Sequence, residues 1–149
     1  MGAVYRPAMR KDASRLHDIR RRSIVELASP AMPKAEAMAW ASQLTLPGME
    51  RKLRELEVWV AELDGVIAGW GAIRADRLEG LYTAPEFAGQ GVGAGLLGRL
   101  EGLLRDREFP SVYAEASSNA HDFYLRRGYR AAGPQTPDGA WPIMKELLT

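Results

Sequence analysis

Glycines stand at positions 89, 91, 93, 95 and 98 of the stretch "APEFAGQGVGAGLLGRLE" (Ala84 to Glu101), just where a leucine-rich helix begins. A glycine inside a helix costs roughly 1 kcal/mol against alanine, so the bare backbone must serve something here. On a 3.6-residue period from about Gly91 to Asp106, Leu96, Leu97, Leu100, Leu103 and Leu104 form one arc, which calls for a sheet to cover it. Gly95, Gly98 and Gly102 fall on the opposite side, where they suit close packing against a helix or a second subunit, or plain tolerance at the surface. Gly89 to Gly93 precede or open the helix. Unpaired N–H groups and the positive end of the helix dipole favour an anion at such a place.

The sheet that the leucine arc needs is written just upstream. "VWVAELDGVIAGWGAIRADRLEGLYT" (Val58 to Thr83) alternates or runs apolar, and Asp64-Gly65 is a strong hairpin signal. It reads as three antiparallel strands, about 57–63, 66–75 and 76–83, with Gly69 and Gly71 marking a bulge or a close backbone approach. Earlier, Val4 to Pro7 reads as a short strand. Asp12 can cap a helix to about Ala28 that carries Ala13, Leu16, Ile19, Ile24 and Leu27 on one face. Arg20 interrupts that face, either snorkelling or ion-paired, or standing beside a polar pocket. Ser29-Pro30 and Pro33 break the chain; a second helix runs from about Pro33 to Leu44, and a charged amphipathic stretch from Met49 to Glu55. After the glycine helix come a strand at Ser111 to Ala116, a short helix from Asn119 to Arg127 closed by Gly128, a turn at Pro134 to Gly139 and a last strand near Pro142 to Leu147. The order is that of one α/β domain over residues 1–149 with a mixed sheet.

Composition removes whole classes of chemistry. The absence of cysteine excludes disulfides, thiolate metal sites and a thiol nucleophile, and the two histidines, His17 and His121, make no metal site alone. A formal net charge of +1 gives no pull towards nucleic acid or an anionic membrane, and Arg20-Arg21-Arg22 reads as a solvated helix face. No apolar run approaches the ~20 residues of a membrane span, and the N-terminus lacks the apolar core of a signal peptide. The expectation is a soluble cytoplasmic protein without a metal.

Three readings of the glycines compete. Gly93-Ala94-Gly95-Leu96-Leu97-Gly98 spells the G-x-G-x-x-G of a dinucleotide-binding oxidoreductase, with Glu115 standing ~20 residues on. That fingerprint belongs in the turn directly after a strand, whereas here the strand ends near Thr83 after an antiparallel meander. A packing role fits Gly95, Gly98 and Gly102. A pyrophosphate cradle fits Gly89, Gln90, Gly91, Val92 and Gly93, reached through a strand and then "APEF".

The longer run "GLYTAPEFAGQGVGAGLLGRLE" resembles the acyl-CoA signature of the GNAT superfamily of N-acyltransferases. That signature runs strand, Leu-Tyr-Val, x-Pro-Glu/Asp, x, Arg/Gln-Gly-x-Gly-x-Gly/Ala, leucine-rich helix. A later block of Ala116-Ser117, Ala120, Phe123-Tyr124 and Gly128-Tyr129, then Met144-Lys145-Glu146-Leu147, follows in family order. The resemblance implies a mostly antiparallel sheet, splayed at the cofactor site and flanked by about four helices. It implies acetyl-CoA as cosubstrate, its pyrophosphate on Gly89, Gln90, Gly91, Val92, Gly93 and Ala94 and its pantetheine arm along Leu81, Tyr82 and Thr83. Two departures stand out. Ala88 occupies the place of the usual Arg or Gln, and Ser117 rather than Asn119 aligns with a frequent asparagine, leaving Asn119 as a helix N-cap or a pantetheine contact.

The same resemblance implies Tyr124 as the general acid that protonates the departing thiolate; the competing reading is a packed aromatic with its hydroxyl on backbone. Glu79 and Glu115 are the candidate bases, each also readable as an ion-paired surface carboxylate, with water-relayed deprotonation a third route. His121 is expected in solvent. Without a thiol nucleophile, direct amine attack in a ternary complex is the simplest route. The acceptor would be a small-molecule or peptide amine, with no nucleic acid or membrane partner and a homodimer left open. The first two helices, with Arg20, Glu26 and Met38, would shape its site, and Trp40, Trp59, Trp70 and Trp141 line a pocket or fill the core. A non-catalytic CoA-binding module is the alternative.

Overall fold

The computed structural model describes residues 2–27 and 33–148, so the expected helix end at Ala28 and the break at Ser29-Pro30 lie outside the described residues. The elements are β1 (Val4–Pro7), α1 (Ala13–Leu27), α2 (Lys34–Ala41), α3 (Leu46–Glu55), β2 (Glu57–Leu63), β3 (Val66–Arg74), β4 (Arg77–Thr83), α4 (Val92–Asp106), β5 (Ser111–Ala116), α5 (His121–Leu125), β6 (Arg130–Ala131) and β7 (Trp141–Glu146). The seven strands make one sheet in the order β1-β2-β3-β4-β5-β7-β6. Every neighbouring pair is antiparallel except β4 and β5.

Local chemistry sets the boundaries. Asp64 and Gly65 both take positive φ, 51° and 79°, which gives the β2–β3 hairpin a turn that follows the strand twist. Ala75, at φ 52°, turns the chain between β3 and β4, so those strands stop one residue short of the expected abutting edges. Asp12 does not cap α1 itself: a 3-10 turn at Arg10–Asp12 precedes the helix, and the Asp12 carboxylate accepts the Met9 N–H at 2.8 Å. The stretch expected from Met49 starts as a helix at Leu46, because Thr45 Oγ1 accepts the Gly48 N–H at 3.1 Å and Pro47 sits where no intrahelical N–H is needed. The short strand β6 carries no periodic signal and forms only by pairing with β7.

The leucine arc of α4 behaves as its period demands. Leu96, Leu97, Leu100 and Leu104 are buried on one face of the sheet, each contributing about 2 kcal/mol by leaving water. Helix and sheet approach closely where β3 has Gly69; a Cβ there would stand 2.8 Å from Val92 Cγ1. The opposite face of the sheet holds a second core, with Leu16 and Ile19 from α1, Met49 from α3 and Trp70 from β3. Trp70 is thus core, while Trp40 is exposed.

Candidate active site

The parallel pair β4 and β5 meets only at its start. Arg77 registers with Tyr113, the Tyr113 N–H donates to Asp76 O at 2.9 Å, and no later residue of the two strands is paired. A bulge sharpens the divergence, for Glu79 is the extra residue of β4 between the pairs Ile73–Leu78 and Ala72–Gly80. The edge of Leu81, Tyr82 and Thr83 that faces away from β3 therefore has no strand partner among the described residues. An extended polar chain can be held there by the hydrogen bonds a strand would make.

At the mouth of this gap lies the start of α4. Gly89 and Gly91 sit at φ 79° and 81°, a left-handed geometry in which glycine is unstrained. A Cβ on either would meet nothing within 4 Å, so the surface above them is open. The first helical bond runs from the Gly95 N–H to Gly91 O at 2.9 Å, and no described carbonyl takes the N–H groups of Gly89, Gly91, Val92, Gly93 or Ala94. Free amides at the positive end of a helix dipole are an arrangement that can take an anion. Ala88 is exposed at its edge. The literal G-x-G-x-x-G, residues 93–98, lies wholly inside α4 rather than in a strand-to-helix turn. Gly95 is not turned to open surface: its Cβ would collide with the Tyr5 hydroxyl of β1.

Tyr124 belongs to the core cluster that also holds Leu78 of β4 and Ala114 and Ala116 of β5, and stands edge-on to Phe123 and Tyr129 at 5.2 and 5.3 Å between ring centroids. Its ring is buried, yet its hydroxyl makes no hydrogen bond to a described residue. The reading of a hydroxyl committed to backbone does not hold. Burial first, and then the nearby Tyr82 phenol, push its pKa well above the ordinary tyrosine value, so it stays protonated. Its seat is fixed from behind: Tyr129 Oη donates to the buried Glu101 at 2.8 Å, and Lys145 Nζ donates to the other carboxylate oxygen at 3.1 Å. Gly128, at φ 92°, closes α5 as expected. Ser117 Oγ donates to Asn119 Oδ1 at 2.7 Å, and α5 begins after Ala120 without a side-chain cap, so Asn119 is not its N-cap. His121 is half-buried rather than free in solvent, stacked on Trp141 with centroids 4.8 Å apart.

The two candidate bases share one arginine. Arg77 lies 3.6 Å from Glu79 and 3.7 Å from Glu115, and Arg74 reaches Glu79 at 3.9 Å. Glu115 is exposed and Glu79 half-buried. The arginine run of α1 divides: Arg21 is exposed, Arg22 binds Glu86, and Arg20 leans over the Tyr82 ring with its guanidinium carbon 5.6 Å from the centroid. Glu86, just before the cradle, also takes Arg15 at 3.0 Å, and with Arg22 first among the causes its pKa falls to about 2. This clamp and Lys52 of α3 went unread in the sequence, because single charges on amphipathic helices look solvated.

The comparisons agree with this geometry. The family model for the acetyltransferase (GNAT) domain matches residues 28–141. The chain belongs to the GNAT acetyltransferase family. It is similar, at 26% identity and TM-score 0.89 over 98% of this chain and 96% of the other, to a GCN5-related N-acetyltransferase structure from Rhodopseudomonas palustris. The PaiA N-acetyltransferase of Thermoplasma acidophilum, solved with coenzyme A, shares the fold at 17% identity and TM-score 0.82, covering 98% and 99% of the chains. So does yncA of Salmonella typhimurium, solved with its cofactor acetyl-CoA, at 20% identity and TM-score 0.66, covering 100% and 96%. A search of curated proteins returned no match. Among the described residues, no helix is long and apolar enough to cross a membrane.

Proposed function

We propose that residues 1–149 act as one acetyl-CoA-dependent N-acetyltransferase domain, moving an acetyl group to the amine of a small-molecule or peptide acceptor. The observation that carries this is the juxtaposition of three features. Among the described residues, the outer edge of Leu81 to Thr83 in β4 has no strand partner, the amides at the start of α4 have no carbonyl partner, and the Tyr124 hydroxyl makes no hydrogen bond. The amides of Gly89 to Ala94 hold the pyrophosphate, supplying the contact that Ala88 lacks a side chain to make. Leu81, Tyr82 and Thr83 align the pantetheine arm, with Ser117 and Asn119 near its far side.

The amine nitrogen attacks the thioester carbonyl carbon directly, its proton passing to Glu79, straight or through one water. Glu79 is the better placed of the two carboxylates, since it lies at the bulge and its charge is felt by Lys52 on the α1–α3 face. The new C–N bond forms as the C–S bond breaks, and Tyr124 Oη gives its proton to the thiolate sulfur. Thermal unfolding with added CoA tests the binding half. At 100 times Kd a ligand adds about 2.7 kcal/mol, so a melting temperature unmoved by millimolar CoA or acetyl-CoA would contradict the reading. Binding without thiol release against any amine would favour the non-catalytic module.

A further inference from the structure

A cleft of about 270 Å3 opens between α1, the α2–α3 loop and α3, lined by Arg20, Gln43, Thr45, Arg51, Lys52 and Glu55. It lies on the same face of the sheet as Tyr82, whose ring touches Trp70 at 4.8 Å between centroids and carries Arg20 above it. Arg20 is there because the i, i+4 spacing from Leu16 puts it on the buried face of α1, stem inward and head at the cleft. Its Nε is fully buried and has no hydrogen-bond partner among the described residues. Neither Arg20, Arg51 nor Lys52 has a side-chain ion pair with a described residue, although α1 and β4 nearby are laced with them. Burial first, and then the charge of Arg20, lower the Lys52 pKa, against the opposing pull of Glu79 and Glu55. Three cations thus face one lining carboxylate, Glu55, with Glu79 at the border. A buried guanidinium N–H without an acceptor is costly, and it is the rest of the Arg20 head, lining the cleft, that a ligand can reach.

We infer that the acceptor is a small amino acid, its carboxylate bound by Arg20 and Lys52 in this cleft while its amine reaches past Tyr82 to the thioester. The inference rests on the transfer reading above for where the amine must go. A planar guanidinium presents paired donors that match a carboxylate, and Lys52 adds a second charge. The cleft lies at the small end of ligand pockets, which suits a free amino acid rather than a folded protein surface.

The test pairs each standard amino acid with its C-terminal amide, which keeps the amine and removes the anion. Thiol release from acetyl-CoA is measured for both. In parallel, binding of the N-acetylated acid and N-acetylated amide to the CoA-loaded protein is followed by isothermal titration calorimetry. The carboxylate form of the preferred amino acid should win by roughly 10- to 100-fold in kcat/KM and in affinity. Arg20→Met and Lys52→Met should each cut that ratio severalfold, and Arg20→Lys should retain part of it. Equal handling of acid and amide, or a ratio untouched in both Met variants, overturns the inference. Carboxylate-selective binding without any thiol release keeps the cleft as an amino-acid carboxylate site while contradicting the transfer reading, so the two fail separately.

Discussion

Tyr124 owes its proposed role to two circumstances that act together. Burial disfavours the phenolate, and no described group takes the hydroxyl, so the proton is kept and left free to give. Tyr124→Phe should therefore lower kcat by about 10²- to 10⁴-fold with little change in CoA affinity, read by steady-state kinetics beside equilibrium binding. The sign of the shift sets the pH profile. A pKa raised above the ordinary tyrosine value of ~10 means that the acid stays loaded through mild alkali, so kcat should show no loss assignable to Tyr124 below about pH 10. The residue itself was legible in the "FY" of the late block, but its unclaimed hydroxyl was not, since hydrogen bonding depends on neighbours far apart in sequence. Arg20 was half legible: a cation inside an apolar stripe is conspicuous, while its lack of a partner emerges only once α3 brings Lys52 beside it.

At the scale of elements, α4 shows how far periodicity carries. The leucine arc and the place where the helix begins follow from the sequence, but the glycines on the other side separate only in three dimensions. Gly95 is pressed against Tyr5, whereas a Cβ on Gly98 would meet nothing within 4 Å. Gly98→Ala should raise stability by up to about 1 kcal/mol, and Gly95→Ala should lower it by about 1–2 kcal/mol, with partial rescue by Tyr5→Phe; thermal denaturation of the set decides. The loop that leads into α4 is tied to α1 by Glu86 through Arg22 and Arg15. Glu86 has a folded-state pKa of about 2, below the ordinary value of ~4.3. The contribution of the clamp is then full above that ordinary value and lost as pH falls through the folded one. The melting-temperature gap between wild type and Glu86→Gln should stay constant from pH 7 to about pH 5, narrow below that, and close near pH 2. Local signals missed β6 and the first turn of α3, because one depends on β7 and the other begins with Pro and Gly, residues that usually end helices.

Across the whole molecule, one broken pairing organises the rest. Five of the six neighbouring strand pairs are antiparallel, but β4 and β5 run parallel, meet at one register and part around Glu79. The gap receives the start of α4 at its mouth, Tyr124 from the α4 side and the Arg20 cleft from the α1 side. Strand order and helix faces could be read from hydrophobic period and turn chemistry. The splay came only through family resemblance, since no residue pattern states that two strands will fail to pair. The account as a whole stands on acetyl transfer at that gap. Its most direct test mixes purified protein, acetyl-CoA and an amine library, and follows free thiol together with the mass of the acceptor. The account predicts thiol released in step with an acceptor heavier by one acetyl group, and a much slower reaction with Tyr124→Phe. Tight CoA binding with no acceptor acetylated, or equal turnover in the Tyr124→Phe protein, would contradict it.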